Sequence, residues 1–170
     1  MTFQLSVDPG LNTGISLGFY DATTPYRLLG RWQVHNGLTG FIAWMDANAG
    51  TLTGVDEAVV ERFVYEKGAN ADISGVPIEG VVALWAHQSG ATVLWHTRFD
   101  KAGLTGYPPE ATTKAQRQRV RFDLLERFDM FAPGTENDDS NDAICHSLVN
   151  LKNRRHAPTL RMLAGGKDSA

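Results

Sequence analysis

The stretch FQLSVDPGLNTGISLGFY, Phe3 to Tyr20, decides the architecture. Its first five residues alternate apolar and polar, Asp8-Pro9-Gly10 and Asn12-Thr13-Gly14 supply turn chemistry, and Ile15 to Tyr20 is again strand-like. This predicts a β-hairpin with Asp8 at the end of its first strand. Working outward, Arg27 to Val34 reads as a third strand, and Leu38 to Asn48 as a helix because Phe41, Ile42 and Met45 recur at helical spacing. AVVERFVY, residues 58–65, is rich in β-branched and aromatic residues and predicts a central strand with Glu61 in its middle. Pro77 opens a second helix reaching about Gln88, carrying Val81, Val82, Leu84 and Trp85, and Ala91 to Thr97 reads as a fifth strand. After a Gly/Pro/Thr-rich loop, a helix is expected from about Thr113 to Phe128, with Val120, Leu124 and Phe128 on its buried side. A loop from Ala132 to Asn137 then leads to a last helix from about Asp138 to Asn153. The expectation is one α/β domain over residues 1–153, and a frayed tail over 154–170 after Pro158.

Composition narrows the class. A length of 170 residues suits one domain that buries its own core, and no apolar run reaches bilayer length. No basic and apolar leader precedes the first strand, so a cytoplasmic protein is expected. One cysteine, Cys145, can form no internal disulfide and begins no zinc site; a small buried residue on a helix is its expected role. The net charge of −3 argues against uniform coating of nucleic acid, but residues 1–97 carry four basic against nine acidic side chains and residues 98–170 twelve against ten. Phosphate contacts are therefore expected from the second half.

Carboxylates carry the chemistry. Asp8, Glu61, and the pair Asp139 and Asp142 fall at three separated places. Asp139 and Asp142 are spaced to project from one helix face. Glu61 among Val59, Val60, Phe63 and Val64 needs a partner, because burying a charged carboxylate is costly unless it is paired or binds metal. Four carboxylates without clustered Cys or His suit a hard, oxygen-preferring cation, Mg²⁺ or Mn²⁺. Two such ions about 4 Å apart serve phosphodiester hydrolysis. Each residue also has a plainer reading: Asp8 as a turn residue, Glu61 as a solvated edge carboxylate, Asp138 and Asp139 as helix caps.

Taken together, Asp8-Pro9-Gly10 with Thr13-Gly14, then Val60-Glu61, then Asp139-Ser140-Asn141-Asp142-Ala143 resemble the RuvC-type Holliday junction resolvases in order and spacing. Lys67-Gly68-Ala69-Asn70 and Thr113-Lys114-Ala115-Gln116 extend the resemblance to about residues 3–153. It implies an RNase H-like fold, a mixed five-stranded sheet flanked by helices, and a homodimer that cuts four-way DNA junctions symmetrically in recombination and repair. It also implies two Mg²⁺ or Mn²⁺ ions per active site, with Asp8, Glu61, Asp139 and Asp142 as ligands and Lys114 near the scissile phosphate. Lys114, Arg117 and Arg121 make one basic stripe, open to a DNA-binding or a merely solvated reading. The family's junction-opening aromatic falls on Phe63 or Tyr65, with Tyr65 preferred because Phe63 shares the strand parity of Glu61. The segment following Glu61 runs longer than the family's, which favours a bacteriophage member. His146, one turn beyond Asp142, is open to a supporting role beside the metal or a structural one. Trp85 and Trp95 are expected in the core and interface. Two rivals stay open: an RNase H-fold nuclease for flaps or RNA:DNA hybrids, and a catalytically idle junction- or nucleotide-binding module.

Overall fold

The structure, a computed structural model, describes residues 1–64, 73–106, 108–131 and 139–165. These form five strands, β1 (Thr2–Asp8), β2 (Thr13–Tyr20), β3 (Arg27–Val34), β4 (Glu57–Glu61) and β5 (Thr92–His96), in one mixed sheet of order β3-β2-β1-β4-β5. β1 and β2 pair antiparallel as the expected hairpin, as do β2 and β3, whereas β1 with β4 and β4 with β5 are parallel. The helices are α1 (Gly37–Ala47), α2 (Ala49–Leu52), α3 (Val76–Ser89), α4 (Ala102–Thr105), α5 (Lys114–Arg127), α6 (Asp139–Asn153) and α7 (Ala157–Leu163).

Strand alternation sorts the sheet into two unlike faces. Leu5, Val7, Ile15, Leu17, Ala58 and Val60 point to one face, where Phe41 of α1 and Ile78 and Val82 of α3 complete an aliphatic core. Gln4, Ser6, Gly14, Ser16 and Gly18 alternate to the other, against α6. Small residues there let the helix come close: a Cβ on Gly14 would lie 2.0 Å from the Asp139 carbonyl oxygen. Ser147 of α6 lies 2.7 Å from Ser6 and 3.4 Å from Ser16, hydroxyl to hydroxyl. Farther along the same face, Ile144, Leu148 and Leu151 of α6 pack with Phe122 and Leu125 of α5 in a second core. Cys145 is buried there as expected, its thiol pushed up to about 12 by burial.

Three sequence expectations need correction. The strand expected over residues 58–65 ends at Glu61. Its neighbours β1 and β5 stop at Asp8 and His96; the Arg62 N–H still goes to the His96 carbonyl at the end of β5, but the Phe63 N–H goes to Glu79 Oε1 (2.7 Å) instead of to a strand. The frayed tail is helical over Ala157–Leu163: Pro158 stands in the first turn, where proline is tolerated, and buried Thr159 accepts the Tyr26 N–H at 3.1 Å. On α5, Phe122 and Leu125 rather than Val120 and Phe128 are fully buried. The N-terminus of α5 carries a capping box between Thr113 and Gln116. No helix among the described residues is long and apolar enough to cross a membrane.

Candidate metal centre

Parallel pairing of β1 with β4 brings Val7 opposite Val60, so the next residue of each strand, Asp8 and Glu61, emerges at the carboxyl end of the sheet. Both alternate to the α6 face, where Asp142 and His146 lie one helical turn apart. One ligand atom each from Asp8, Glu61 and His146 falls within 4.8 Å of the others. Glu61 is thus the last residue of its strand, not a mid-strand carboxylate, and this terminal position is what lets it meet Asp8.

A residue the motifs did not mark completes the cluster. Lys101, just before α4 and only 7% exposed, places its Nζ 3.1 Å from Asp8 Oδ2, 2.7 Å from Glu61 Oε2 and 3.0 Å from Asp142 Oδ2. Arg121, 8% exposed, reaches the other oxygen of Asp142 at 3.0 Å. Burial works against ionisation of every carboxylate here, but the outcomes differ. Glu61 is held at about 2, since the His146 hydrogen bond and the Lys101 charge outweigh burial. Asp142 is lowered by Lys101 and Arg121 against the same opposition. Asp8 is pushed up to about 7 by burial, with Lys101 only partly compensating. Lys101 is raised despite burial, by Asp8, Asp142 and Glu61 together.

Two histidines support Glu61. His146 Nε2 lies 2.7 Å from Glu61 Oε2, and His146 Nδ1 lies 3.3 Å from Nδ1 of His96, the strand partner of Glu61. Burial lowers the pKa of both rings, His96 to about 4. With Glu61 ionised, His146 must donate from Nε2; its Nδ1 then accepts from His96 Nδ1. The chain His96, His146, Glu61 holds that carboxylate in place.

Other expected residues are placed as follows. Asp139 begins α6, half-buried, with its backbone N–H on Gln33 Oε1 at 3.1 Å, and is not among the three carboxylates on Lys101. The basic stripe divides: Lys114 and Arg117 are exposed, whereas Arg121 turns inward to Asp142 and is no surface cation. Phe63 lies past the end of β4, so its strand parity carries no weight. Trp95 is 43% exposed beneath the Arg62 guanidinium, 5.9 Å from the ring centroid, while Trp85 packs on the aliphatic core. Tyr65, residues 67–70 and residues 132–138 lie outside the described residues. A histidine ending the strand that pairs with the Glu61 strand was a usable signal for His96. Lys101, in a stretch with Arg98 and Asp100, looks like any solvated charge.

The donor set suits a divalent cation. Three carboxylates already hold one positive group among them, and their oxygens are the ligands that Mg²⁺ or Mn²⁺ prefers.

No protein-family model and no curated protein sequence matches the chain. Solved structures do. RuvC of T. thermophilus in complex with a Holliday junction substrate matches with a TM-score of 0.64 at 13% identity, over 93% of this chain and 98% of that one. A second structure of the Thermus thermophilus protein gives 0.64 at 15% identity, over 91% and 96%. The fowlpox virus Holliday junction resolvase gives 0.60 at 14% identity, over 90% and 99%. The sheet order, the flanking helices and these likenesses agree: the chain has the RNase H-like fold of the RuvC-type Holliday junction resolvases.

Proposed function

We propose that this protein is a metal-dependent endonuclease that resolves four-way DNA junctions, a crossover junction endodeoxyribonuclease acting as a homodimer. The observation that carries the reading is the convergence of Asp8, Glu61 and Asp142 on one cation at the carboxyl end of the sheet. The fold shared with resolvases, two of them solved on Holliday junctions, supports it. Asp8, Glu61 and Asp142, with Asp139 one turn before Asp142, would hold two Mg²⁺ or Mn²⁺ ions. Such ions supply an activated water and charge stabilisation for the leaving 3′-oxygen. The chain's own residues prepare the site: His146, oriented by His96, fixes the Glu61 carboxylate, and Arg121 fixes that of Asp142. Lys114 and Arg117, exposed on the first turn of α5, would contact DNA phosphates, which set register without reading sequence. Phe63 or Tyr65 would stack at the junction's centre.

The test is cleavage of a labelled synthetic four-way junction beside linear duplex, flap and RNA:DNA hybrid, with Mg²⁺ or Mn²⁺. Paired symmetric nicks confined to the junction, reduced at least ~100-fold by Asp142→Asn or Asp139→Asn, are expected. Cleavage of the hybrid or flap in preference to the junction would replace this substrate with another, and junction binding without metal-dependent cutting would make the protein an idle binding module.

A further inference from the structure

Lys101 is more than a neighbour of the carboxylates. Its ammonium has three protons, and three carboxylate oxygens from three separate elements receive them at 2.7–3.1 Å. The backbone beneath it is anchored on both sides. Asp100 accepts the Thr97 N–H and hydroxyl at 2.5 and 2.8 Å, and Lys152 Nζ donates to the carbonyls of Gly103 and Leu104. Leu104 itself is buried in the core formed by α5 and α6. The main chain at Lys101 is therefore held, and only the flexible four-carbon stem is free to move.

A divalent ion coordinated by these carboxylates would use oxygens that Lys101 already engages. Oxygen ligands bind Mg²⁺ at about 2.1 Å, which would leave ion and ammonium a few ångströms apart in a largely buried place, with little solvent to screen them. Arg121 does not compete in this way, because it reaches Asp142 through the oxygen that Lys101 does not engage. Resting on the metal-centre reading above, we propose that Lys101 is a built-in competitor cation whose ammonium must leave the carboxylate trio before a divalent ion enters, so that this one residue sets the metal affinity of the site.

Two measurements on the full-length protein test this. In calorimetric titration with Mn²⁺, Lys101→Met is expected to bind at least tenfold more tightly than the unsubstituted protein, and Lys101→Gln, which keeps a polar end without the charge, is expected to shift the same way. Asp8→Asn placed on either background should weaken binding, which locates the ion at these carboxylates. In the unsubstituted protein, acetylation of Lys101 by an amine-reactive ester, followed by mass spectrometry, should rise several-fold on adding Mn²⁺ as the ammonium is released. Equal or weaker Mn²⁺ binding by the variants, or Lys101 labelling unchanged by saturating Mn²⁺, would overturn the proposal while leaving the metal centre standing. No Mn²⁺ binding by the unsubstituted protein or the variants would overturn both.

Discussion

The two faces of the sheet solve the same packing problem with opposite materials. Toward α1 and α3 the strands present Leu5, Val7, Ile15, Leu17, Ala58 and Val60, a set that is aliphatic and largely interchangeable. Toward α6 they present Gln4, Ser6, Gly14, Ser16 and Gly18, and at the carboxyl end Asp8, Glu61 and His96. The first face is held by area removed from water, which tolerates changes of shape that keep volume. The second is held by close approach and by specific hydrogen bonds and ion pairs, in which each position has a particular partner. The first contributes stability that interchangeable aliphatic side chains supply, whereas the second, backed by the core between α5 and α6, places α6 closely enough for Asp142 and His146 to reach Asp8 and Glu61.

The sharpest way to break this comparison is a matched pair of substitutions. Gly14→Ala puts a methyl 2.0 Å from the Asp139 carbonyl, a backbone atom that cannot swing aside, and should cost about 4 kcal/mol or more, or abolish folding. Leu17→Met on the opposite face should cost less than ~1.5 kcal/mol. Urea denaturation midpoints of similar size for the two would dissolve the distinction. A second test uses pH. Burial holds His96 at about 4, so its unfolded form takes up a proton near 6.5 while the folded form resists until about 4. Its contribution is complete above pH 6.5 and is lost as pH falls through that window. The gap in melting temperature between the unsubstituted protein and His96→Asn should therefore narrow between pH 6.5 and 4; a constant gap would mean that His96 is not held neutral. The smallest expected effect is Ser6→Ala, which removes the 2.7 Å hydrogen bond to Ser147 and should cost about 1 kcal/mol, the net worth of one such bond.

Legibility followed the same division. β1, β2 and β3 and the helices α1, α3 and α6 lie within a residue or two of their expected limits, because alternation and helical periodicity are local signals. The end of β4 was not legible: Phe63 and Val64 continue an apolar, strand-like run, and only the ends of the neighbouring strands, β1 at Asp8 and β5 at His96, stop the pairing. α7 was misread because Pro158 marks a stop or a first turn alike, and the buried contact of Thr159 with Tyr26, 133 residues distant, decides between them.

Asp8 at the end of β1 and the shared helix face of Asp139 and Asp142 were legible from periods of 2 and 3.6 residues, whereas the RNase H-like sheet was expected only from the resemblance that the order of these carboxylates carries. Lys101 and the inward turn of Arg121 entered the site only through the tertiary structure. Lys101 meets Asp8 across 93 residues and Asp142 across 41, and Arg121, read as part of a surface stripe, turns inward because α5 packs beside α6. No local pattern encodes such contacts: a charged side chain looks the same in sequence whether it faces water or a buried counter-charge, and only the packing of distant elements separates the two.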